Sequence, residues 1–286
     1  MSRPAAVLLA LCTALLGGCS TADRMRREFV AMRYMQQAQR HLLELPRHTT
    51  RAEQELDRAL ALMPQEEELR SRAAHLYLSA RAWRKAVRLL QDQEDPSRLD
   101  RIALGQALMQ AGERERGASI CLQVIEEAHR LYRAGQISRD DYAGLLNNAG
   151  YVLADASAEL DEAHEAVALA TKAAPLEASF VDSLGWALLR KGEHRDAAFY
   201  LERARRLSPG ENPEILYHVG VAYARVGRYG DAESALRRAA RLDPDFEAVK
   251  RELERLGRIL PRPVLAGSQA PATEELTVPA SPAGHP

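Results

Sequence analysis

Residues 178–212 read ASFVDSLGWALLRKGEHRDAAFYLERARRLSPGEN, and the stretches on both sides follow the same plan. Gly185 follows Leu184 and precedes Leu188 by three residues. Ala197, Leu201 and Ala204 come next, and Pro209 closes the unit. In residues 143–177 the matching places hold Gly150, Leu153, Ala163, Val167, Ala170 and Pro175. In residues 213–247 they hold Gly220, Tyr223, Ala232, Leu236, Ala239 and Pro244. The three glycines Gly150, Gly185 and Gly220 lie 35 residues apart. Self-similarity at such a period marks stacked supersecondary units rather than one globular core.

The chemistry of these places specifies two antiparallel helices per unit. The glycine stands inside the first helix, where it costs about 0.5–1 kcal/mol relative to alanine. It is tolerated because the second helix must approach closely there, and the alanines serve the same approach from the other side. Gly192 and Gly227 fall in the turns between helices, where a helix C-terminus favours glycine. The prolines stop the second helices. Neither helix can bury its apolar face alone, so neighbouring units must stack. The pattern resembles the tetratricopeptide repeat (TPR) across most of residues 143–247. The resemblance implies an all-α fold: a right-handed α-solenoid of antiparallel helix hairpins, about five to six units long, with a C-terminal capping helix.

Working outward, residues 143–177, 178–212 and 213–247 are the clear repeats, and 29–142 reads as more degenerate TPR-like units. Leu104, Gly105, Leu108 and Gly112 mark one of these over roughly residues 97–135, with a long second helix from Glu115 to Ala134. Gly105 to Gly150 is 45 residues, so an insertion separates the two units; Ser138 with Asp140 and Asp141 reads as an N-cap. Ala74, Tyr77, Trp83, Ala86 and Leu90 fit a further unit over 67–95. Ala52, Leu56, Ala59 and Pro64 fit the second helix of a first unit whose first helix lacks the glycine, and Pro46 breaks that hairpin. Phe246, Val249, Leu253 and Leu256 make residues 246–260 an amphipathic cap over the open end. Six prolines in residues 261–286 mark a disordered tail.

The N-terminus reads as an address. Arg3 precedes the almost unbroken apolar run Ala5–Leu16, which is too short to span a bilayer and fits a secretory signal over residues 1–19. Leu16-Gly17-Gly18-Cys19 resembles a bacterial lipobox, which implies that Cys19 is acylated and becomes the mature N-terminus. Residues 20–28 then serve as a short tether. Ser20 after the cysteine implies, by resemblance to enteric lipoproteins, outer-membrane sorting and a position facing the periplasm. Of the three cysteines only Cys121 would remain beside the acylated one, so no intramolecular disulfide is expected; within Ile120-Cys121-Leu122 it reads as a small buried hydrophobe.

Composition and motifs exclude much else. Apolar residues make up 46% of the 286 and aromatics 5%, a mix suited to closely packed helices. A formal net charge of -1 and alternating Arg and Glu argue against a nucleic-acid partner. No HExxH, GxSxG, Walker-type loop or CxxC is present, and the eight histidines are scattered, so no enzyme activity, metal or cofactor is expected.

In TPR arrays the first helices line a concave groove. Positions three before and one after each repeat glycine therefore become candidate partner-binding residues: Asn147 and Tyr151, Asp182 and Trp186, Tyr217 and Val221. One turn further stand Asp155, Arg190 and Arg225. Aromatic anchors beside Asn and Arg suit an extended peptide or a partner helix. Lysines of the carboxylate-clamp type are absent from these helices. The expectation is a lipid-anchored scaffold for assembling envelope machinery such as pilus or secretin components, polysaccharide export apparatus or cell-wall enzymes. The alternatives are a small-molecule or peptide binder in the envelope and a cytosolic adaptor with a misread N-terminus.

Overall fold

The computed structural model describes residues 20–44 and 47–259. The described residues form thirteen helices and no strand. They pair as six hairpins: α1 (Ser20–Leu43) with α2 (Thr49–Leu62), α3 (Glu67–Ser79) with α4 (Trp83–Leu90), and α5 (Arg98–Ala111) with α6 (Arg114–Arg133). Next come α7 (Arg139–Asp155) with α8 (Leu160–Ala173), α9 (Ala178–Lys191) with α10 (His194–Leu207), and α11 (Pro213–Arg225) with α12 (Tyr229–Leu242). A single helix, α13 (Glu247–Ile259), packs on the last hairpin and closes the stack, burying Val249 and Leu256.

Each repeat glycine stands at a helix crossing. A Cβ built on Gly185 would lie 2.6 Å from Leu201 Cγ, and one on Gly220 would lie 2.6 Å from Leu236 Cγ. A Cβ on Gly150 would lie 2.9 Å from the Ala163 carbonyl oxygen. Ala197 and Ala232 are completely buried on the facing helices. Pro175, Pro209 and Pro244 follow the ends of α8, α10 and α12. In the first hairpin, Ala31 and Ala38 of α1 share a core with Ala52, Leu56 and Ala59 of α2, so small alanines stand in for the missing glycine. The core runs from Ile102 to Leu256 in one cluster, with a second over α1 to α5 and a small third of Ala74, Leu90 and Ala103.

The 45-residue interval is taken up mainly as helix. α6 has 20 residues where α8, α10 and α12 have 14 each, and α7 has 17. The Ser138 hydroxyl accepts the Asp141 backbone N–H at 3.0 Å and starts α7. Residues 20–28, expected to be a tether, are instead the first turns of α1. Arg24, Met25, Arg26, Arg27 and Glu28 are all good helix formers, and helix propagates readily through such residues once the buried stripe beginning at Ala31 nucleates it. The signal and lipobox through Cys19, the break at Pro46 and the tail 261–286 lie outside the described residues. No helix among the described residues is long and apolar enough to cross a membrane.

Candidate functional site

The first helices α7, α9 and α11 line the inner face of the stack, and their side chains build a polar and aromatic wall in layers. His218 of α11 is buried, and its Nδ1 lies 2.8 Å from Asp182 Oδ2 on α9. Burial, the largest influence, lowers the His218 pKa, but the Asp182 carboxylate together with Glu214 and Asp155 outweighs it and the net shift is upward. Trp186, one turn beyond Asp182 on α9, stacks on the His218 ring with centroids 4.0 Å apart. Tyr217 packs against Trp186 at 5.8 Å and against Phe246 at 5.1 Å. The Tyr151 hydroxyl of α7 donates to Glu214 Oε1 at 2.6 Å. Burial, and then the Glu214 carboxylate, push that phenol well above its ordinary pKa.

Arg190 lies over the Trp186 ring at 5.6 Å, donates to the Asp155 carbonyl oxygen at 3.4 Å, and also donates to the Ser157 hydroxyl. Trp186 is 4% exposed, yet its Nε1 has no hydrogen-bond partner among the described residues. A buried donor left unpaired costs about 1–3 kcal/mol, so this N–H is a feature to be explained.

The curvature of the solenoid brings its two ends together. Arg47, between α1 and α2, places Nη2 2.7 Å from Asp243 Oδ2 in the turn between α12 and α13. The Arg47 backbone N–H donates to the Asp245 carboxylate. The concave space thereby becomes a partly enclosed cavity of about 470 Å³. Tyr151, Asp155, Trp186, Arg190, Tyr217 and His218 line one side. Arg81 and Trp83 from the turn between α3 and α4, Gln106 and Gln110 of α5, and Arg251 of α13 line the remainder.

The sequence-derived groove residues are thus divided. Tyr151, Trp186, Arg190 and Tyr217 line the cavity. Asp182 lies buried against His218 rather than on the surface. Asn147 is also buried, with its Nδ2 donating to Asn148 Oδ1 at 3.4 Å. Val221 is a core residue, 6% exposed. Arg225 points to a separate recess shared with Gly192 to Asp196, and its Nη1 is 4.0 Å from Glu252. Side-chain length explains most of the division, because at equivalent helical positions Tyr and Trp reach past the backbone into the cavity while Asn, Asp and Val do not. The positional rule picked out neither His218 nor Glu214. His218 follows Asp182 by 36 residues, one repeat period plus one, and that offset was the available signal. Arg81 joins the site through curvature accumulated over several repeats, while Phe246 and Arg251 enter from the adjoining cap.

Outside the cavity, Cys121 is buried, and burial pushes its thiol up to about 12, so it is a packing residue. Among the described residues no group of three His, Cys, Asp or Glu is placed to hold a metal ion.

An all-helical stack of hairpins with close glycine crossings and a lined inner face defines a tetratricopeptide-type solenoid. The tetratricopeptide repeat family profile matches residues 188–256. A TPR repeat-containing protein of Pseudomonas aeruginosa is 38% identical over 80 residues, which is 28% of this chain and 13% of the relative's length. A tetratricopeptide repeat protein from Parabacteroides merdae superposes with a TM-score of 0.55 at 12% identity, over 73% of this chain and 78% of that one, and supports the fold alone.

Proposed function

We propose that this chain is a lipid-anchored scaffold of the bacterial cell envelope that holds a segment of a protein partner in its inner cavity. The observation that carries the reading is the cavity wall of Trp186, Tyr217 and Tyr151, with an unpaired Trp186 N–H beneath it. Rigid aromatics of this kind anchor peptides at little entropic cost. No catalytic role is needed to account for the arrangement.

The anchor rests on the sequence Leu16 to Cys19. Because the chain is already helical at Ser20, the first described residue, an acyl group on Cys19 would attach beside helical backbone rather than at the end of a loose tether. On the first turns of that helix Arg24, Met25, Arg26, Arg27 and Phe29 are exposed, a mixture suited to a membrane surface. The solenoid would then lie against the bilayer with little slack.

Two measurements test the proposal. Metabolic palmitate labelling should mark the wild type and not Cys19→Ser; an unlabelled wild type removes the anchor. A photo-crosslinking residue in place of Tyr217 should give a protein adduct in intact cells, whereas the same residue in place of Phe199, which is 61% exposed outside the cavity, should not. Adducts from Phe199 alone would move the partner site away from the cavity. A second reading is a small-molecule ligand, since about 470 Å³ lies within the usual size of small-ligand pockets. Absence of any protein adduct at Tyr217 would favour it.

A further inference from the structure

Arg81 holds a backbone conformation that its own side chain opposes. Its φ is 60°, in the left-handed region, within the turn between α3 and α4. In the turns between α5 and α6, α9 and α10, and α11 and α12 the left-handed residue is a glycine, Gly112, Gly192 and Gly227, with φ of 102°, 90° and 80°; in the turn between α7 and α8 it is Ser157 at 53°, followed by Glu159 at 44°. Glycine takes that conformation without a Cβ clash, and arginine does not. Strain of this kind is tolerated where the side chain has work to do at a site.

Arg81 lines the inner cavity, and Arg251 of α13 lines it from the other end of the chain. Among the described residues neither guanidinium has a carboxylate within the 4.0 Å of an ion pair. Glu247 feels Arg251 and, less, Arg81, but it is held first by Lys250 at 2.6 Å. On the acidic side, Glu214 is engaged by the Tyr151 hydroxyl, and Asp155 is the remaining carboxylate. Arg190 is bonded to Ser157 and to the Asp155 carbonyl oxygen. Two unengaged arginines therefore face a cavity with one unengaged carboxylate, beside an aromatic wall and a buried unpaired Trp186 N–H.

The geometry points to an acidic peptide segment as the occupant, with its Asp or Glu side chain, or a terminal carboxylate, held between Arg81 and Arg251. The planar guanidinium fork pairs with a carboxylate through two parallel hydrogen bonds. An apolar neighbour in the same peptide would lie on Trp186, Tyr217 and Phe246. This rests on the cavity being the partner site.

The test uses the full chain in detergent and a displayed library of random octapeptides, followed by fluorescence anisotropy on a selected peptide. Selection should enrich Asp or Glu next to an aliphatic or aromatic residue. Arg81→Gly should weaken the selected peptide about tenfold, the scale of one charge-assisted hydrogen bond to a carboxylate. The same variant should melt at or above the wild-type temperature, because the strain at φ 60° is relieved. That pairing of weaker binding with undiminished stability is not expected of a residue whose role is structural. Arg251→Glu should shift the enrichment toward Lys or Arg. Enrichment of peptides without acidic residues, or acidic enrichment that survives both variants, overturns the charge assignment and leaves the partner site in place. Enrichment of no peptide at all overturns both.

Discussion

Gly117→Ala lowers the melting temperature, whereas Gly144→Ala raises it. Both glycines lie within helices, so alanine brings each the same gain in helix propensity, about 0.5–1 kcal/mol. Their surroundings decide the sign. A Cβ on Gly144 would meet nothing within 4 Å. A Cβ on Gly117 would collide with the backbone carbonyl oxygen of Gly105, and would lie 2.6 Å from Met109 Cγ and 3.0 Å from Met109 N. At Gly185 the nearest atoms belong to the Leu201 side chain, which can shift, but at Gly117 the obstacle is backbone. α5 and α6 cross glycine to glycine, and separating them disturbs the stacking on both sides. Overpacking at the upper end of its usual cost, about 3 kcal/mol, leaves a net loss of about 2 kcal/mol. For a chain of this size that corresponds to a fall of roughly 4–8 °C, readable by circular dichroism. Gly144→Ala should rise by roughly 1–4 °C. A Gly117→Ala protein that melts at or above the wild type would show that α5 and α6 can separate at little cost.

Gly117 also shows what the sequence did and did not reveal. It follows Gly105 by twelve residues, as Ala197 follows Gly185 and Ala232 follows Gly220. The small-residue register of the clear repeats therefore extends one unit earlier, into a unit that looked degenerate because its second helix is longer. Tandem repetition made the hairpins legible: each glycine, alanine and proline recurs with its spacing, and close helix crossing is a local demand. The cavity was only half legible. Tyr151, Trp186, Arg190 and Tyr217 follow from position within a repeat, but Arg81 and Arg251 line the same cavity from positions about 170 residues apart, and small rotations between neighbours are not written in any one unit. The first turns of α1 were misread as a tether because Ser20 to Arg27 shows no apolar stripe; that helix is continued by propagation from Ala31 onward.

Asp182→Asn should reverse the pH dependence of stability, and it should do so at a place no surface histidine could mimic. His218 is 2% exposed, with Asp182 on α9, Glu214 on its own helix and Asp155 on α7 as the carboxylates that act on it. Its folded pKa is raised above 6.5, so the stabilisation from its protonated form is fully present below pH 6.5 and is lost as pH rises through the folded value. In Asp182→Asn the principal counter-charge is gone and burial, the largest single influence, is left to push the pKa down. Stability should then fall as pH drops below 6.5, because a buried neutral imidazole must be charged on unfolding. At about pH 6, breaking the buried pair should cost roughly 3 kcal/mol, or roughly 6–12 °C in melting temperature, with the gap narrowing as pH rises. The difference between wild-type and variant melting curves across pH isolates this pair from the other titrating groups, and parallel curves would mean that His218 is not charged in the folded protein. A second signal comes from the cavity itself. Trp186 stacks on His218 with centroids 4.0 Å apart, so its emission should change with the imidazole charge in the wild type. In Asp182→Asn that change should move to lower pH, tying the buried pair to the wall that faces the partner.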